Sequence, residues 1–204
     1  MIVVVDYGLG NVLAFTNIYK RLNIPFKVAQ TADQLKGATK IIFPGVGSFD
    51  YAITRLNESG MRARLDDLVL EQEVPILGIC VGMQMLACSS EEGELSGLGW
   101  IDGVVKKIVF CDSEAQEYLP HMGWNSIQPL KSSKILTGFD HTSRFYFLHS
   151  YYFECESEES TLASSRYGQT FSSIVNSKNV YGIQCHPEKS HGNGIRLLKN
   201  FAEL

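Results

Sequence analysis

Along residues 1–90 short apolar runs alternate with helical patterns, and glycines fall where one gives way to the other. MIVVVDYG ends at Gly8 and Gly10, and Asn11 opens NVLAFTNIYKRL, whose apolar residues recur at helical spacing. PFKVAQ is a second strand candidate, and 40-KIIFPGVGSF-49 is a third that runs into a glycine turn. Asp50 to Glu73 reads as one long or broken helix, interrupted at Ser59 and Gly60, and VPILGI supplies another strand ending at Cys80. Such alternation argues for βαβ units, hence an α/β fold with a mostly parallel open sheet and helices on both faces.

The second half reads differently. GVVKKIVF, the segment around 121-HMGWNSI-127, RFYFLHSYYFECE, TFSSIVN and VYGIQCH are short β-like runs separated by loops, and 194-GIRLLKNFAEL-204 is an amphipathic helix. With 204 residues and no linker, repeat or low-complexity tract, one domain spanning 1–204 is expected. A formal net charge of -4 gives no electrostatic argument for nucleic acid or an anionic membrane. No apolar run approaches the ~20 residues that span a bilayer. The apolar part of MIVVVDYG is too short, and lacks the basic lead, for a signal peptide. The five cysteines, Cys80, Cys88, Cys111, Cys155 and Cys185, contain no C-x-x-C pair. Reduced thiols in a cytoplasmic enzyme are therefore expected, rather than a disulfide framework or a zinc ribbon.

Chemistry concentrates at Cys80. In an open parallel sheet, reactive groups collect at the carboxyl ends of strands. In Gly78-Ile-Cys80-Val-Gly82 the glycines would let the chain fold sharply from strand into helix without Cβ clashes, as in a G-x-S-x-G nucleophile elbow with sulfur replacing oxygen. The N-terminus of the following helix would favour thiolate. A thiolate needs a base and an orienting group. In 181-YGIQCHPEKS-190, strand alternation would point His186 and Glu188 the same way, so that the carboxylate holds one ring nitrogen and the other faces the thiol. Cys185 would then point away. In 43-FPGVGSF-49, Gly45 and Gly47 permit unusual backbone angles and expose amides, which with the Val81 N–H could hold a tetrahedral oxyanion.

GICVGMQ, FPGVGSF and HPEKS together resemble the class I (triad) glutamine amidotransferases, across essentially the whole chain. Within that class, DYGLGN, PHMGWN and FLHSYY are similar to the glutaminase subunits of imidazole glycerol phosphate synthase in histidine biosynthesis. The resemblance implies a flavodoxin-like three-layer sandwich with extra antiparallel strands in its second half. It also implies a cysteinyl thioester mechanism with Cys80 as nucleophile, His186 as base and Glu188 as its support. The oxyanion would be met by the Val81 N–H and, after adjustment of the PGVG peptide, by that of Val46. Glutamine would be bound by Gly45, Gly47, Gln84 and the backbone around His149, Ser150 and Tyr151. The implied partner is a (β/α)8 cyclase subunit, met through Asn11, Met122, Trp124, Asn125 and Lys189, with no cofactor and no metal. Two departures stand out: Cys185 replaces the family's usual aromatic, and 189-KSHGNG-194 is unusually glycine-rich.

Rival readings are a paralogue supplying ammonia to another acceptor such as a surface-polysaccharide sugar, a thiol peptidase or γ-glutamyl hydrolase, and a binding module that kept the fold. A dinucleotide reading of 8-GLGNVL-13 fails because Leu13 stands at the third glycine of G-x-G-x-x-G. A metal site from Cys185, His186 and His191 lacks a second cluster.

Overall fold

The computed structural model describes residues 1–110 and 118–204; Cys111, expected as a reduced thiol, lies outside them. The strands are β1 (Ile2–Val5), β2 (Phe26–Ala29), β3 (Lys40–Gly45), β4 (Ile76–Cys80), β5 (Ser89–Ser90), β6 (Gly103–Lys107), β7 (His121–Ser126), β8 (Gln128–Pro129), β9 (Arg144–His149), β10 (Tyr151–Cys155), β11 (Thr161–Tyr167), β12 (Gln169–Ser177) and β13 (Val180–Ile183). The helices are α1 (Val12–Arg21), α2 (Phe49–Glu58), α3 (Arg62–Asp66), α4 (Val81–Gln84) and α5 (His191–Ala202).

The main sheet runs β2-β1-β3-β4-β13-β12-β10-β6-β5, with β11 added to β12 and β8 to β11. From β2 to β13 every neighbouring pair is parallel. β13, β12, β10 and β6 then continue antiparallel. Strands β1, β3 and β4 are buried almost throughout, which is why they read as continuous apolar runs rather than alternating ones. Helices flank the sheet; α1 and α5 lie together, the Tyr19 hydroxyl donating to the Leu198 carbonyl at 3.4 Å. Asn11 caps α1, its side-chain oxygen accepting from the Ala14 N–H at 3.3 Å.

Two local expectations are revised and one is met. The run 144–156 is two strands, because β9 pairs with β7 in a separate two-stranded sheet while β10 joins the main one. The segment 50–73 is the expected broken helix, interrupted at Ser59 and Gly60 between α2 and α3 and ending in a π-turn at Asp67–Glu71. Finally α5 begins at His191, earlier than the residue pattern indicates.

Candidate active site

The parallel strands deliver Cys80 to the carboxyl edge of the sheet, beside Gly45 of β3 and one step beyond the Ile79–Ile183 pair with β13. Cys80 itself takes the strain of the turn, with φ 55° and ψ −114°. This region is unfavourable for a residue with a Cβ, and such outliers gather at functional sites. The glycines spare the turn Cβ clashes, as expected, while the positive φ falls on Cys80 itself. A Cβ on Gly78 would stand 2.6 Å from the Gly82 carbonyl oxygen, and one on Gly82 would overlap the Phe43 carbonyl oxygen. They permit close packing of the elbow against β3 and β4. The helix that follows, expected to favour thiolate through its N-terminus, is only one turn, so its dipole is small and the sulfur's immediate neighbours matter more.

Those neighbours are His186, which lines the same cavity, the Gln184 side-chain amide, whose Nε2 lies 3.9 Å from Sγ, and the Leu148 carbonyl, also at 3.9 Å. His186 Nδ1 meets Glu188 Oε1 at 2.9 Å, both side chains almost wholly buried. Strand alternation is not what aligns them. β13 stops at Ile183, and Pro187–Lys189 form a 3₁₀ turn that brings Glu188 back under the ring. Ser190 locks this turn by donating to the His186 carbonyl at 2.6 Å and accepting from the Tyr146 N–H at 2.9 Å. The His186 N–H donates to the Tyr146 carbonyl at 2.8 Å. Burial works against charge on His186, yet hydrogen bonds and charge from Cys80 and Glu188 prevail and carry its pKa up to about 10. The arrangement therefore favours an imidazolium held between Cys80 and the Glu188 carboxylate. Cys185 points elsewhere; it is fully buried, and burial raises its thiol pKa.

A cavity of about 340 Å³ opens over the sulfur, within the size range of small-ligand sites. Of the expected site residues, Val46, Gly47, Cys80, Val81, Gln84, His149, Ser150, Tyr151 and His186 line it. Gly45 does not; it lies beneath, where a Cβ would collide with the Gly82 amide. Gln84 lines the cavity but spends its amide hydrogens on the protein, donating to the Tyr151 carbonyl at 3.0 Å and to Gln184 Oε1 at 3.1 Å. Glu188 points under His186, its Oε2 buried without a partner. The Tyr7 hydroxyl, buried beneath the site, donates to the Pro44 carbonyl at 2.9 Å and so anchors the strand that leads into the cavity lip.

Two further residues belong to the site beyond those the sequence motifs mark. Glu92 lines the cavity from a loop and accepts the Phe49 N–H at 2.8 Å; no local pattern marks it. Gln184 could have been found, since it precedes His186 by two positions. The residues expected at a partner face divide. Met122 and Trp124 are exposed on one face of β7, with Trp124 stacked on His191 at 5.2 Å. Lys189 is exposed and lies over the Tyr146 ring at 5.6 Å while also lining the cavity. Asn11 is exposed, but Asn125 turns inward, its amide donating to the Arg166 carbonyl at 2.8 Å. Among the described residues no group of three His, Cys, Asp or Glu side chains could hold a metal ion, and no helix is long and apolar enough to cross a membrane.

A strained cysteine at a strand end and a buried His–Glu pair beside a small cavity have the residue types that thiol-dependent acyl transfer uses, on a largely parallel α/β sheet. The chain belongs to the class-I glutamine amidotransferase family, whose model matches residues 3–204. Within it, the chain falls among the imidazole glycerol phosphate synthase subunits HisH. It is 58% identical to that of Bdellovibrio bacteriovorus and 51% identical to that of Leptospira interrogans, each over the full length of both chains. It is 43% identical to HisH 2 of Pseudomonas aeruginosa, again over both full lengths. A crystal structure of a glutamine amidotransferase shares the fold with TM-score 0.74 at 21% identity, covering 99% of each chain. A structure of PurLQS from Thermotoga maritima does so with TM-score 0.69 at 16% identity, covering 99% of this chain and 97% of that one. These relatives do not favour the polysaccharide paralogue.

Proposed function

We propose that this chain is the glutaminase subunit of an imidazole glycerol phosphate synthase, hydrolysing L-glutamine to glutamate and ammonia. The observation that carries the reading is the Cys80–His186–Glu188 array opening into a cavity of about 340 Å³. The Cys80 thiolate attacks the side-chain amide carbon, and the carbonyl π electrons move onto oxygen. The Val81 N–H and, once the PGVG peptide is turned, the Val46 N–H stabilise that oxyanion. On collapse the C–N bond breaks, His186 delivers its proton to the departing nitrogen, and ammonia leaves a thioester on Cys80. Neutral His186 then takes a proton from water as its oxygen attacks the thioester, and glutamate departs with regeneration of the thiolate–imidazolium pair. Glu188 keeps the ring oriented and supports its charge throughout. Glu92, the other carboxylate at the cavity, suits the α-ammonium group of the substrate.

Ammonia in water at pH 7 is mostly ammonium, which has no lone pair for attack. A glutaminase serving a synthesis therefore gains from a protected route into a partner. The proposed partner is a (β/α)8 cyclase subunit in the cytoplasm, making imidazole glycerol phosphate and an aminoimidazole carboxamide ribonucleotide. Exposed Met122, Trp124 and Val46 beside the cavity support that docking face. The test measures glutamate release from glutamine by the chain alone, with a cyclase, and with the cyclase plus its nucleotide ligand, each against Cys80→Ala. Stepwise stimulation that vanishes in the variant is expected. Turnover indifferent to the cyclase would reject the partner, and turnover surviving Cys80→Ala would reject the nucleophile.

A further inference from the structure

Behind the cavity wall runs a chain of hydrogen bonds that the thioester mechanism does not use. His121 on β7 and His149 on β9 are direct cross-strand partners. Both are buried, and His121 Nδ1 lies 2.9 Å from His149 Nε2. His149 Nδ1 lies 2.8 Å from the Tyr151 carbonyl. At the other end, Asn125 Nδ2 lies 3.3 Å from His121 Nε2 and 2.8 Å from the Arg166 carbonyl.

Both ends of this chain are backbone carbonyls, which can only accept, and that fixes every proton between them. The Tyr151 carbonyl requires a hydrogen on His149 Nδ1, so neutral His149 has a bare Nε2. That bare nitrogen requires a hydrogen on His121 Nδ1, which leaves His121 Nε2 bare and suited to the Asn125 amide. Asn125 must present its NH₂ here, because the same nitrogen serves the Arg166 carbonyl and its Oδ1 accepts the Ser126 N–H at 2.8 Å. The opposite direction would set two donors face to face at His121 Nε2 and aim a lone pair at the Tyr151 carbonyl. The rings are held as firmly as the protons. His121 is stacked against Tyr167 at 4.1 Å and Phe147 at 5.0 Å, and Phe171 meets His149 edge-on at 5.0 Å.

From this geometry we infer that His121 is a positioning residue for the glutamine pocket, fixing the His149 tautomer and through it the Tyr151 carbonyl. The inference rests on the glutaminase reading of the cavity. The Tyr151 carbonyl is the junction: it also accepts from Gln84, which donates to Gln184, whose amide approaches the Cys80 sulfur. His149 and Tyr151 line the cavity where the chain steps from one sheet to the other. β7 carries His121 and Asn125 on its inner face and exposes Met122 and Trp124 on the other. A load on that outer face therefore reaches the pocket through one strand and two imidazoles.

The test has two arms. In the ¹⁵N-labelled full chain at pH 7, His121 and His149 should both be Nδ1-protonated neutral imidazoles, assigned by loss of one signal in His121→Phe. A His149 protonated at Nε2 would overturn the proposal, and this arm needs neither turnover nor partner. In glutamate-release kinetics with the cyclase, His121→Phe keeps the aromatic stacking but strands His149 Nε2. It should raise KM for glutamine about tenfold while kcat changes less than about threefold, since an unpaired buried acceptor costs roughly that factor. His121→Gln, which restores an N–H donor, should recover most of the KM. Wild-type KM in His121→Phe, or equal KM in the two variants, would overturn it. Should the wild-type complex fail to release glutamate, the glutaminase reading falls, while the tautomer spectrum still judges the hydrogen-bonded chain.

Discussion

Substituting Gly78 by alanine tests whether the elbow works through close packing. The new Cβ would lie 2.6 Å from the Gly82 carbonyl oxygen and 2.9 Å from both the Gly82 carbonyl carbon and Met83 Cα. All three are backbone atoms, so no side chain can swing aside. Reaching the 3.4 Å at which ordinary contact begins requires the turn after Cys80 to retreat from β4 by roughly 0.8 Å. Overpacking of this kind costs about 1–3 kcal/mol, which in a chain of this length lowers Tm by roughly 2–12 °C. The retreat moves the Val81 N–H as well, and misplacing reactive geometry by about 1 Å can cost ~10²-fold in rate. Thermal unfolding and partner-stimulated glutamate release should therefore both fall, with kcat down roughly ten- to a hundredfold. A variant within about 1 °C of wild type and within twofold in kcat would show that the glycine is not required for packing, and the account of the elbow would be wrong.

Glu188→Gln should lower kcat by about 10²–10⁴ with little change in KM, because a neutral amide no longer supports the imidazolium; an unaltered kcat would remove Glu188 from the array. Burial lowers the pKa of His121 to about 4 and that of His149 to about 3, burial again leading. Histidines held neutral stabilise the fold above their unfolded pKa of about 6.5, and that contribution is lost as pH falls toward 4 and 3. Urea titrations should show His121→Phe losing less stability than wild type between pH 6.5 and 4; an equal loss refutes the assignment. Trp124→Ala should weaken cyclase binding by at least about 2 kcal/mol if the indole is an interface anchor, measured by titration calorimetry; an unchanged Kd would confine it to its stack on His191. Gly47 has φ +91°, and a Cβ there would meet only Tyr51 Cδ1, at 3.8 Å, so its need is torsional. Activity should then rank Gly47 above Gly47→Asn above Gly47→Ala, since Asn tolerates positive φ better than Ala; an Ala variant as active as Asn contradicts this.

What is legible in the sequence is what is local. The GICVG, PGVG and HPE segments each carry their own turn chemistry, and the strand–helix alternation sets their order along one sheet edge. The reasons behind them are less legible. Gly78 and Gly82 read as glycines that avoid Cβ clashes, and they do, but nothing local shows that the atoms avoided include the Phe43 carbonyl or that Cys80 itself holds the positive φ. Strand alternation would place Glu188, but a 3₁₀ turn at Pro187 does the placing. β11, TLASSRY, is silent in the sequence because serine and alanine give no β-signal; its place comes from pairing along β12. Glu92 reaches the cavity only through the tertiary path of its loop.

The division of the site between a rigid and an open part follows from this construction. Cys80, the proposed nucleophile, sits at the end of a strand buried along its whole length, and the His186 turn is tied to β9 by Ser190. Gly45, directly beneath, has no room to move against Gly82. One residue further on, Val46 is 39% exposed and Gly47 and Ser48 are exposed as well. Tyr7 anchors the Pro44 carbonyl, so the first peptide free to turn is the one joining Gly45 to Val46. In the proposed mechanism Cys80, His186 and Glu188 can therefore stand ready while the second oxyanion donor, the Val46 N–H, is turned by the docking partner. In such a site the cost of an unaimed donor falls on the transition state and not on glutamine binding. Partner stimulation should accordingly appear mainly in kcat, and stimulation confined to KM would place the switch elsewhere.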